Sequence, residues 1–238
     1  NGNANTIVGG AGNDTFVATV ADGNDTYTGG AGTDTYDLSS TSAGATVTAA
    51  ASTSADTGSD NLSGIENIIG SQGNDTITLN GGVNVIDGQG GDDVIASGGG
   101  NDTILGGAGN DTLTGGTGLD NLTGGIGNDT FDFNALAESA VGIGSNDLVT
   151  DFEGAGISVG DIIDLSGIDA INGGGNNAFV FIGTAAFTAG AAGAGQLRYV
   201  QLGGDTFIQA NTNNNAGNIE FEIRLTGLHA LTQDDFIL

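Results

Sequence analysis

The chain has 238 residues and a net charge of −27, because 29 acidic residues stand against two basic ones. This charge argues against nucleic acids and anionic membranes as partners and favours cations. Cysteine is absent, which excludes disulfides and thiolate metal sites, and no apolar run approaches the ~18 residues of a membrane span.

The first part of the chain, 1–37, contains a short block of glycine- and aspartate-rich nonapeptides. Good copies lie at 9–17 and 29–37, and a weaker copy lies between them at 20–28. The large apolar position of these copies is taken by Phe16, Tyr27 and Tyr36, and the acidic position by Asp14, Asp25 and Asp34.

The segment 38–60 breaks this period. It consists mainly of Ser, Thr, Ala and Gly and has no charge between Asp37 and Asp56. We interpret it as an irregular coil of the same repeat structure or as a loop, with the coil preferred. Thr46–Thr48 is β-branched at each position and is expected to form a short strand.

The main repeat block occupies 61–133, where eight tandem nonapeptides follow one another without a gap over 61–132. Every ninth residue from Gly64 to Gly127 is glycine. The position two residues later is acidic except at Asn84. The large apolar position is taken by Ile68, Ile77, Ile86, Ile95, Ile104, Leu113, Leu122 and Phe131.

This period predicts an all-β fold, a parallel β-roll built as a nonapeptide-repeat solenoid. Each repeat has a glycine-rich half that reverses the chain, because glycine reaches positive φ without steric cost. The other half is a short strand with its central apolar residue pointing inward. Two repeats make one turn of a flattened spiral, so neighbouring strands on one face lie ~4.8 Å apart.

The same geometry stacks carboxylates at both edges of the roll. Asp93 is expected over Asp111, and Asp102 over Asp120. Two carboxylates ~5 Å apart repel by roughly 3 kcal/mol at an effective dielectric of ~20, so a cation should lie between the turns. Carboxylates and turn carbonyls suit Ca²⁺, whereas Zn²⁺ needs His or Cys and the chain has only His229.

We therefore predict several Ca²⁺ ions between stacked turns, and a chain that stays a disordered acidic polymer without them. Some aspartates, mainly Asp25 and Asp92, are alternatively turn formers only, and Asn84 marks a weakened or missing site. The predicted calcium-site residues are Gly10, Gly12, Asp14, Gly30, Gly32, Asp34, Gly73, Asp75, Gly91, Asp93, Gly98, Gly100, Asp102, Gly107, Gly109, Asp111, Gly116, Gly118, Asp120, Gly125, Gly127 and Asp129.

The last part, 134–238, is expected to be a separate, mostly β domain. Asn134–Ala140 is compatible with a short helix, and Ile219–Leu225 alternates strictly, as a half-buried strand does. Further apolar-rich segments, expected to be strands, lie at 147–152, 161–165, 179–182, 196–201 and 206–210. Acidic residues at the edges of these segments are either further ligands or solvated: Asp147, Asp151, Asp161 and Asp164.

The nonapeptides match the pattern G-G-x-G-x-D-x-U-x, and the chain resembles the RTX (repeats-in-toxin) family in this respect. The resemblance implies export by a type I secretion system, whose ABC transporter is then a partner, and folding outside the cell, where calcium is abundant. It implies an extracellular or cell-surface location, reached without an N-terminal signal peptide.

The C-terminal part is similar to the C-terminal domain of serralysin-type secreted proteins. The residues that carry this resemblance are Asp147–Phe152, Asp161–Asp169, Ala178–Gly183, Gly195–Tyr199 and the final five. The final residues are similar to an uncleaved secretion signal: Asp234, Asp235, Phe236, Ile237 and Leu238. Gln209–Asn218 is Asn-rich where that family is often Asp-rich, which makes a calcium site there doubtful.

No catalytic residues are predicted. A His-Glu-x-x-His zinc motif is absent from the sequence, and His229 lies beside the tail as a packing or surface residue. The expected function is a calcium-dependent folding and type I secretion module at the end of a larger protein. That protein is interpreted as an adhesin or surface-layer protein, with a surface glycan or self-association as further partners. The alternative is a secreted enzyme such as a serralysin-like metalloprotease or a lipase.

Overall fold

Short strands dominate the computed structural model, which describes residues 2–142, 144–154, 160–171, 177–188, 195–213 and 217–238. In chain order they are β1 (Thr6–Ala11), β2 (Thr15–Val17), β3 (Thr26–Ala31), β4 (Thr35–Asp37), β5 (Ala45–Thr48), β6 (Ala51–Ser54), β7 (Gly58–Ser63), β8 (Asn67–Ile69), β9 (Thr76–Thr78), β10 (Val85–Asp87), β11 (Val94–Ala96), β12 (Gly99–Gly100), β13 (Thr103–Ala108), β14 (Thr112–Thr114), β15 (Thr117–Gly118), β16 (Asn121–Ile126), β17 (Thr130–Asp132), β18 (Leu148–Val149), β19 (Ile162–Asp164), β20 (Val180–Phe181), β21 (Gln196–Leu202), β22 (Asp205–Asn211), β23 (Phe221–Leu225) and β24 (Phe236–Ile237).

Two eleven-stranded sheets contain all of these strands except β12 and β15, which pair with each other. Sheet A has the order β1-β3-β7-β6-β5-β9-β11-β14-β17-β19-β24. Sheet B has the order β2-β4-β8-β10-β13-β16-β18-β23-β22-β21-β20. Through the main block the chain alternates between the two sheets, as the predicted β-roll requires.

The register of the main block follows the 18-residue turn predicted from the sequence. In sheet B, Ile68 pairs with Ile86 and Ile86 with Ile104. In sheet A, Ile77 pairs with Ile95 in the same parallel manner. These apolar side chains are buried and belong to one continuous core, which runs the length of both sheets. The parallel β-roll is therefore confirmed.

The segment 38–60 enters sheet A as an antiparallel meander. Strand β5 pairs with β6 and β6 with β7, while β7 continues in parallel beside β3 and β5 in parallel beside β9. The strand predicted at Thr46–Thr48 is confirmed as part of β5. The meander fills the place of regular coils between the two repeat blocks.

The helix predicted at Asn134–Ala140 is wrong, because this segment forms turns. A helix of seven residues is marginal without tertiary support. Here the tertiary contacts favour the turn, since the buried Ser139 hydroxyl donates to the Glu222 backbone oxygen over 2.6 Å. No helix among the described residues has the length and apolar character needed to cross a bilayer.

The C-terminal strands continue both sheets of the roll. Strand β18 pairs with β16 and β23, and β19 pairs with β17 and β24. Strands β21, β22 and β23 are antiparallel and extend sheet B. The strand expected at Ile219–Leu225 begins at Phe221. It was expected to be half-buried, with alternate residues facing solvent, but Glu222 is buried as well.

The five final residues, which resemble a secretion signal, are docked on the roll. A short 3-10 helix, Gln233–Asp235, leads into β24, which pairs in parallel with β19 at the edge of sheet A. Phe236 is buried and packs against Phe181 with 5.1 Å between ring centroids. In the folded chain these residues therefore form the end of the 3-10 helix, the edge strand β24 and the residue that follows it.

Candidate metal centre

Acidic residues stack along the two edges of the roll, where turns connect the sheets. We call the turns that lead into sheet A edge A and those that lead into sheet B edge B. From the main block to the C-terminal strands, edge A carries Asp75, Asp93, Asp111, Asp129 and Asp161. Edge B carries Asp14, Asp34, Glu66, Asn84, Asp102, Asp120 and Asp147.

One oxygen of each stacked carboxylate after the first coil accepts a backbone N–H of the preceding coil. The Asp93 N–H donates to Asp111 Oδ1 over 2.8 Å, and the Asp111 N–H donates to Asp129 Oδ1 over 2.8 Å. On edge B the Asp102 N–H donates to Asp120 Oδ1 over 2.8 Å. The predicted stacking of these residues is confirmed, and a backbone donor offsets part of each negative charge.

The second carboxylate oxygen is buried and has no hydrogen-bond partner at most of these positions. In the repeats that begin with glycine, this oxygen lies against that first glycine; a Cβ atom at Gly115, for example, would come within 2.5 Å of Asp120 Oδ2. A buried oxygen without a partner costs about 1–3 kcal/mol, and more when charged, so a bound cation fits this arrangement. The Oδ2 atoms concerned belong to Asp14, Asp34, Asp93, Asp102, Asp111, Asp120, Asp129 and Asp147.

The glycine turns supply further oxygen donors. Gly107 and Gly109 have φ of +117° and +138°, which only glycine adopts freely. A Cβ atom on Gly109 would overlap the Gly91 carbonyl oxygen of the preceding coil, so these carbonyls point from one coil toward the next. In the described part of the chain no three His, Cys, Asp or Glu side chains converge on one point. Each ion would therefore need backbone carbonyls as well as carboxylates, which is a ligand set that suits Ca²⁺.

Two predicted calcium-site residues differ from this pattern. Asp75 lies in the edge A stack, but its Oδ1 accepts the Ala45 N–H over 2.6 Å and its Oδ2 accepts the Ser71 N–H over 2.7 Å. The Ser71 hydroxyl adds a bond of 2.8 Å to Oδ1. Gly73 has no positive φ, unlike every other glycine in the predicted set. Ser71, at the second position of the turn, thus donates hydrogen bonds to the carboxylate that a cation would otherwise bind.

The structure also extends both stacks beyond the repeats. The Asp120 N–H donates to Asp147 Oδ1 over 2.8 Å, and the Asp129 N–H donates to Asp161 Oδ1 over 2.9 Å. The sequence left the roles of these two carboxylates open. Their signal is the half-motif D-x-U-x, present as Asp147–Thr150 and Asp161–Asp164 without the glycine half.

Asp25 and Asp151 have protein partners for both oxygens. Asp25 accepts the Asn5 N–H at Oδ1 and the Tyr27 hydroxyl at Oδ2. Asp151 accepts two N–H groups of the Gly124–Gly125 turn at 3.0 and 2.9 Å. Both arrangements match a turn-stabilising role.

Burial is the main cause of the raised pKa values in these stacks. It raises the pKa of Asp93 to about 8, with the charges of Asp75, Asp111 and Asp92 as smaller contributions. It raises the pKa of Asp120 and Asp129 to about 6 in the same way. Desolvation thus outweighs the like-charge repulsion that the sequence argument stressed, and it likewise favours a bound cation.

These raised pKa values predict how the metal-free chain responds to pH. A carboxyl whose pKa is higher in the folded than in the unfolded chain stabilises the fold at pH values below the unfolded pKa, here 3.8. This contribution is lost as the pH rises through the folded pKa, which is about 6 to 8 for these residues. In chelator, the strand signal in circular dichroism should therefore be stronger near pH ~5 than near pH ~8. A strand signal that grows over this range in chelator would contradict the assignment.

Comparison with known proteins gives matches to the repeat region and to solved structures, among them two repeat subunits of one enzyme. The RTX calcium-binding nonapeptide repeat matches in four copies at 1–36, 57–95 and 97–131. No curated protein matches the chain. The solution structure of the AlgE6R3 subunit of the Azotobacter vinelandii mannuronan C5-epimerase is 27% identical, covers 70% of this chain and 78% of its own, and has a TM-score of 0.41. The AlgE6R2 subunit of the same enzyme is 24% identical, covers 72% of this chain and 92% of its own, and has a TM-score of 0.25.

Proposed function

Because the repeat blocks within residues 1–131 belong to the RTX calcium-binding nonapeptide repeat family, we propose that this chain is a calcium-dependent folding module. The observation that carries the proposal is the row of buried Oδ2 atoms without partners along both edges of the roll. Ca²⁺ between successive turns would neutralise these oxygens. The roll therefore forms when calcium is present and is lost when calcium is removed.

We place the strongest sites where two turns with a free, buried carboxylate oxygen stack. On edge A these are the turns that end in Asp93, Asp111 and Asp129. On edge B they are the turns that end in Asp102 and Asp120, and a separate pair that ends in Asp14 and Asp34. The turns with Asp75, Glu66 and Asn84 are weaker, because they lack a free carboxylate oxygen or a regular glycine half.

We further propose that the module serves type I secretion, as the resemblance of its repeats and tail to secreted proteins suggests. Its large negative charge opposes compaction while calcium is scarce, which suits a chain that crosses a transporter unfolded. In the folded chain the tail pairs with β19, so a transporter would recognise Asp234–Leu238 before the roll folds. The serralysin-like character of 134–238 is part of this proposal.

The parent protein is proposed to be an extracellular or cell-surface adhesin. The support is compositional, because the Thr-, Ala- and Asn-rich sequence with few aromatics suits a long repetitive protein. The alternative is that this chain is the non-catalytic part of a secreted protease or lipase. A His-Glu-x-x-His sequence elsewhere in the parent would identify a protease, and repeated Ig-like modules would identify an adhesin.

Circular dichroism during a calcium titration tests the proposed function. In chelator near neutral pH the chain should be largely unstructured, and millimolar Ca²⁺ should produce a strand spectrum in a cooperative transition. The same concentration of Mg²⁺ should have little effect, because Mg²⁺ demands near-ideal octahedral geometry and retains its water. A strand spectrum that is already complete in chelator and unchanged by Ca²⁺ would refute the proposal.

A further inference from the structure

At the end of the repeats, a non-repeat segment takes the place of a glycine turn on edge B. Strand β16 pairs with β18 across 27 residues, with Asn121 opposite Leu148, whereas the main block advances by 18. The described residues before Asp147, 134–142 and 144–146, therefore lie over the turn at 115–120. Asp147 follows this segment and occupies the stacked acidic position above Asp120, where the nonapeptide motif is absent.

The two residues on either side of this gap each have a buried carboxylate oxygen without a partner, and the Asp147 carboxylate reaches across it to the Asp120 N–H. The side chains of Asp120 and Asp147 are both 0% exposed, and the Oδ2 atom of each lacks a hydrogen-bond partner. The charge of Glu138, a residue of the overlying segment, acts unfavourably on both. Buried like charges of this kind are costly unless a cation or a proton compensates them.

We propose that Asp120 and Asp147 hold one further divalent cation between the last glycine turn of edge B and the residues 144–146 that lead into Asp147. The cation is Ca²⁺ by its preference for oxygen ligands. This inference rests on the proposed calcium-dependent function, but it adds a site that the repeat motif does not mark. Carbonyl oxygens of the turn at 115–120 would complete the ligand set, because the equivalent carbonyls of Gly98 and Gly100 on this edge point toward the following coil.

The segment that carries Asp147 is bonded directly to the C-terminal sheet. The Asp147 N–H donates to the Ser139 hydroxyl oxygen over 2.9 Å, and that hydroxyl donates to the Glu222 carbonyl oxygen over 2.6 Å. Glu222 Oε1 accepts from the Asn146 side chain over 3.0 Å, and its Oε2 accepts from Gln209 over 2.7 Å. Glu222 and Gln209 lie on β23 and β22, so a cation at Asp147 is connected to both strands through hydrogen bonds.

This connection gives the site a function of its own. A cation that fixes Asp147 also fixes Ser139 and Asn146, and through them the antiparallel strands β22 and β23. The C-terminal extension of sheet B should then become ordered together with the last glycine turn of edge B. Folding would be transmitted from the repeats into residues that contain no repeat.

The test measures calcium stoichiometry and amide hydrogen exchange on the full chain, for the native sequence, Asp147→Asn and Glu153→Gln. Asp147→Asn retains an oxygen that can accept the Asp120 N–H but removes the free carboxylate oxygen. Glu153→Gln is the control, because Glu153 is an exposed residue of the same end of the roll and loses the same charge. Calcium itself is the probe, at concentrations that saturate the native chain.

We expect Asp147→Asn to bind one Ca²⁺ fewer than the native chain, while Glu153→Gln binds the native number. Amides of β22 and β23 should lose calcium-dependent protection in Asp147→Asn, while those of β11 and β14 keep it. An unchanged stoichiometry in Asp147→Asn would overturn the proposal.

The native chain provides the measurement that remains if Asp147→Asn does not fold. During a calcium titration of the native chain, β22 and β23 should gain protection at the same calcium concentration as β13 and β16. Protection of β22 and β23 in chelator, with β13 and β16 unprotected, would overturn the coupling. If β13 and β16 also fail to respond to calcium, it is the proposed function itself that fails.

Discussion

Replacing Asp111 by asparagine should raise the calcium concentration needed for half-maximal folding by about tenfold or more, which corresponds to at least about 1.4 kcal/mol. Asp111 lies between the turns of Asp93 and Asp129, so it borders two candidate sites. Asparagine retains an oxygen for the Asp93 N–H but replaces the unpaired Oδ2 with an NH₂ group, which cannot bind a cation. Calcium titration by circular dichroism measures the midpoint.

Asp25→Asn is the matched comparison for this experiment. Asp25 is as buried as Asp111, but both of its oxygens have protein partners and neither is free for a cation. We expect its midpoint to move by less than about threefold, in line with the loss of one hydrogen bond at the first coils. Equal midpoint shifts for the two variants would show that the free oxygen of Asp111 binds no ion.

The regular part of the fold could be predicted because one period fixes several structural properties at once. A nonapeptide with one inward apolar residue determines strand length, the 18-residue turn and the parallel register. Hence Ile77 over Ile95 and Asp93 over Asp111 followed from counting alone. The backbone donor to each Oδ1 could not be predicted in this way, because it depends on the direction of the N–H groups at the turn.

Departures from the repeat depend on tertiary partners that a period does not contain. The strands β6 and β7 pair as an antiparallel meander, although their Ser- and Thr-rich sequence has no regular apolar spacing. Ser71 takes the second turn position and binds Asp75 with both its N–H and its hydroxyl, which the acidic pattern alone does not reveal. The sequence pattern therefore predicts Asp75 as a calcium ligand, whereas in the structure both of its carboxylate oxygens accept hydrogen bonds from the protein.

The C-terminal strands were recognisable, but their place in the sheets was not. Strand β18 follows β16 after 27 residues and pairs in parallel with β23 from much later in the chain. Glu222 looked like the solvent-facing residue of an alternating strand, yet Asn146, Gly142 and Gln209 satisfy its carboxylate in a buried position. Long-range partners of this kind leave no local signal in a single sequence.

Gly118→Ala should destabilise the calcium-bound roll by about 3 kcal/mol, as the sum of backbone strain and steric overlap. Gly118 has φ of +150°, and a Cβ atom there would overlap the Gly100 carbonyl oxygen of the preceding coil. The overlap would also push that carbonyl away from the gap between Asp102 and Asp120, so calcium affinity should fall with stability. Urea unfolding at saturating calcium measures the first effect, and a calcium titration measures the second.

Gly82→Ala separates the two contributions. Gly82 takes the same motif position on the same edge and has φ of +106°, but no atom lies within 4 Å of its Cβ position. Alanine there should cost only the backbone strain, about 1 kcal/mol, and leave calcium affinity nearly unchanged. If both variants lose the same stability, the close stacking of turn carbonyls on glycine is not what excludes side chains. A larger loss at Gly118 would show that the repeat needs glycine for coil-to-coil contact as well as for the turn itself.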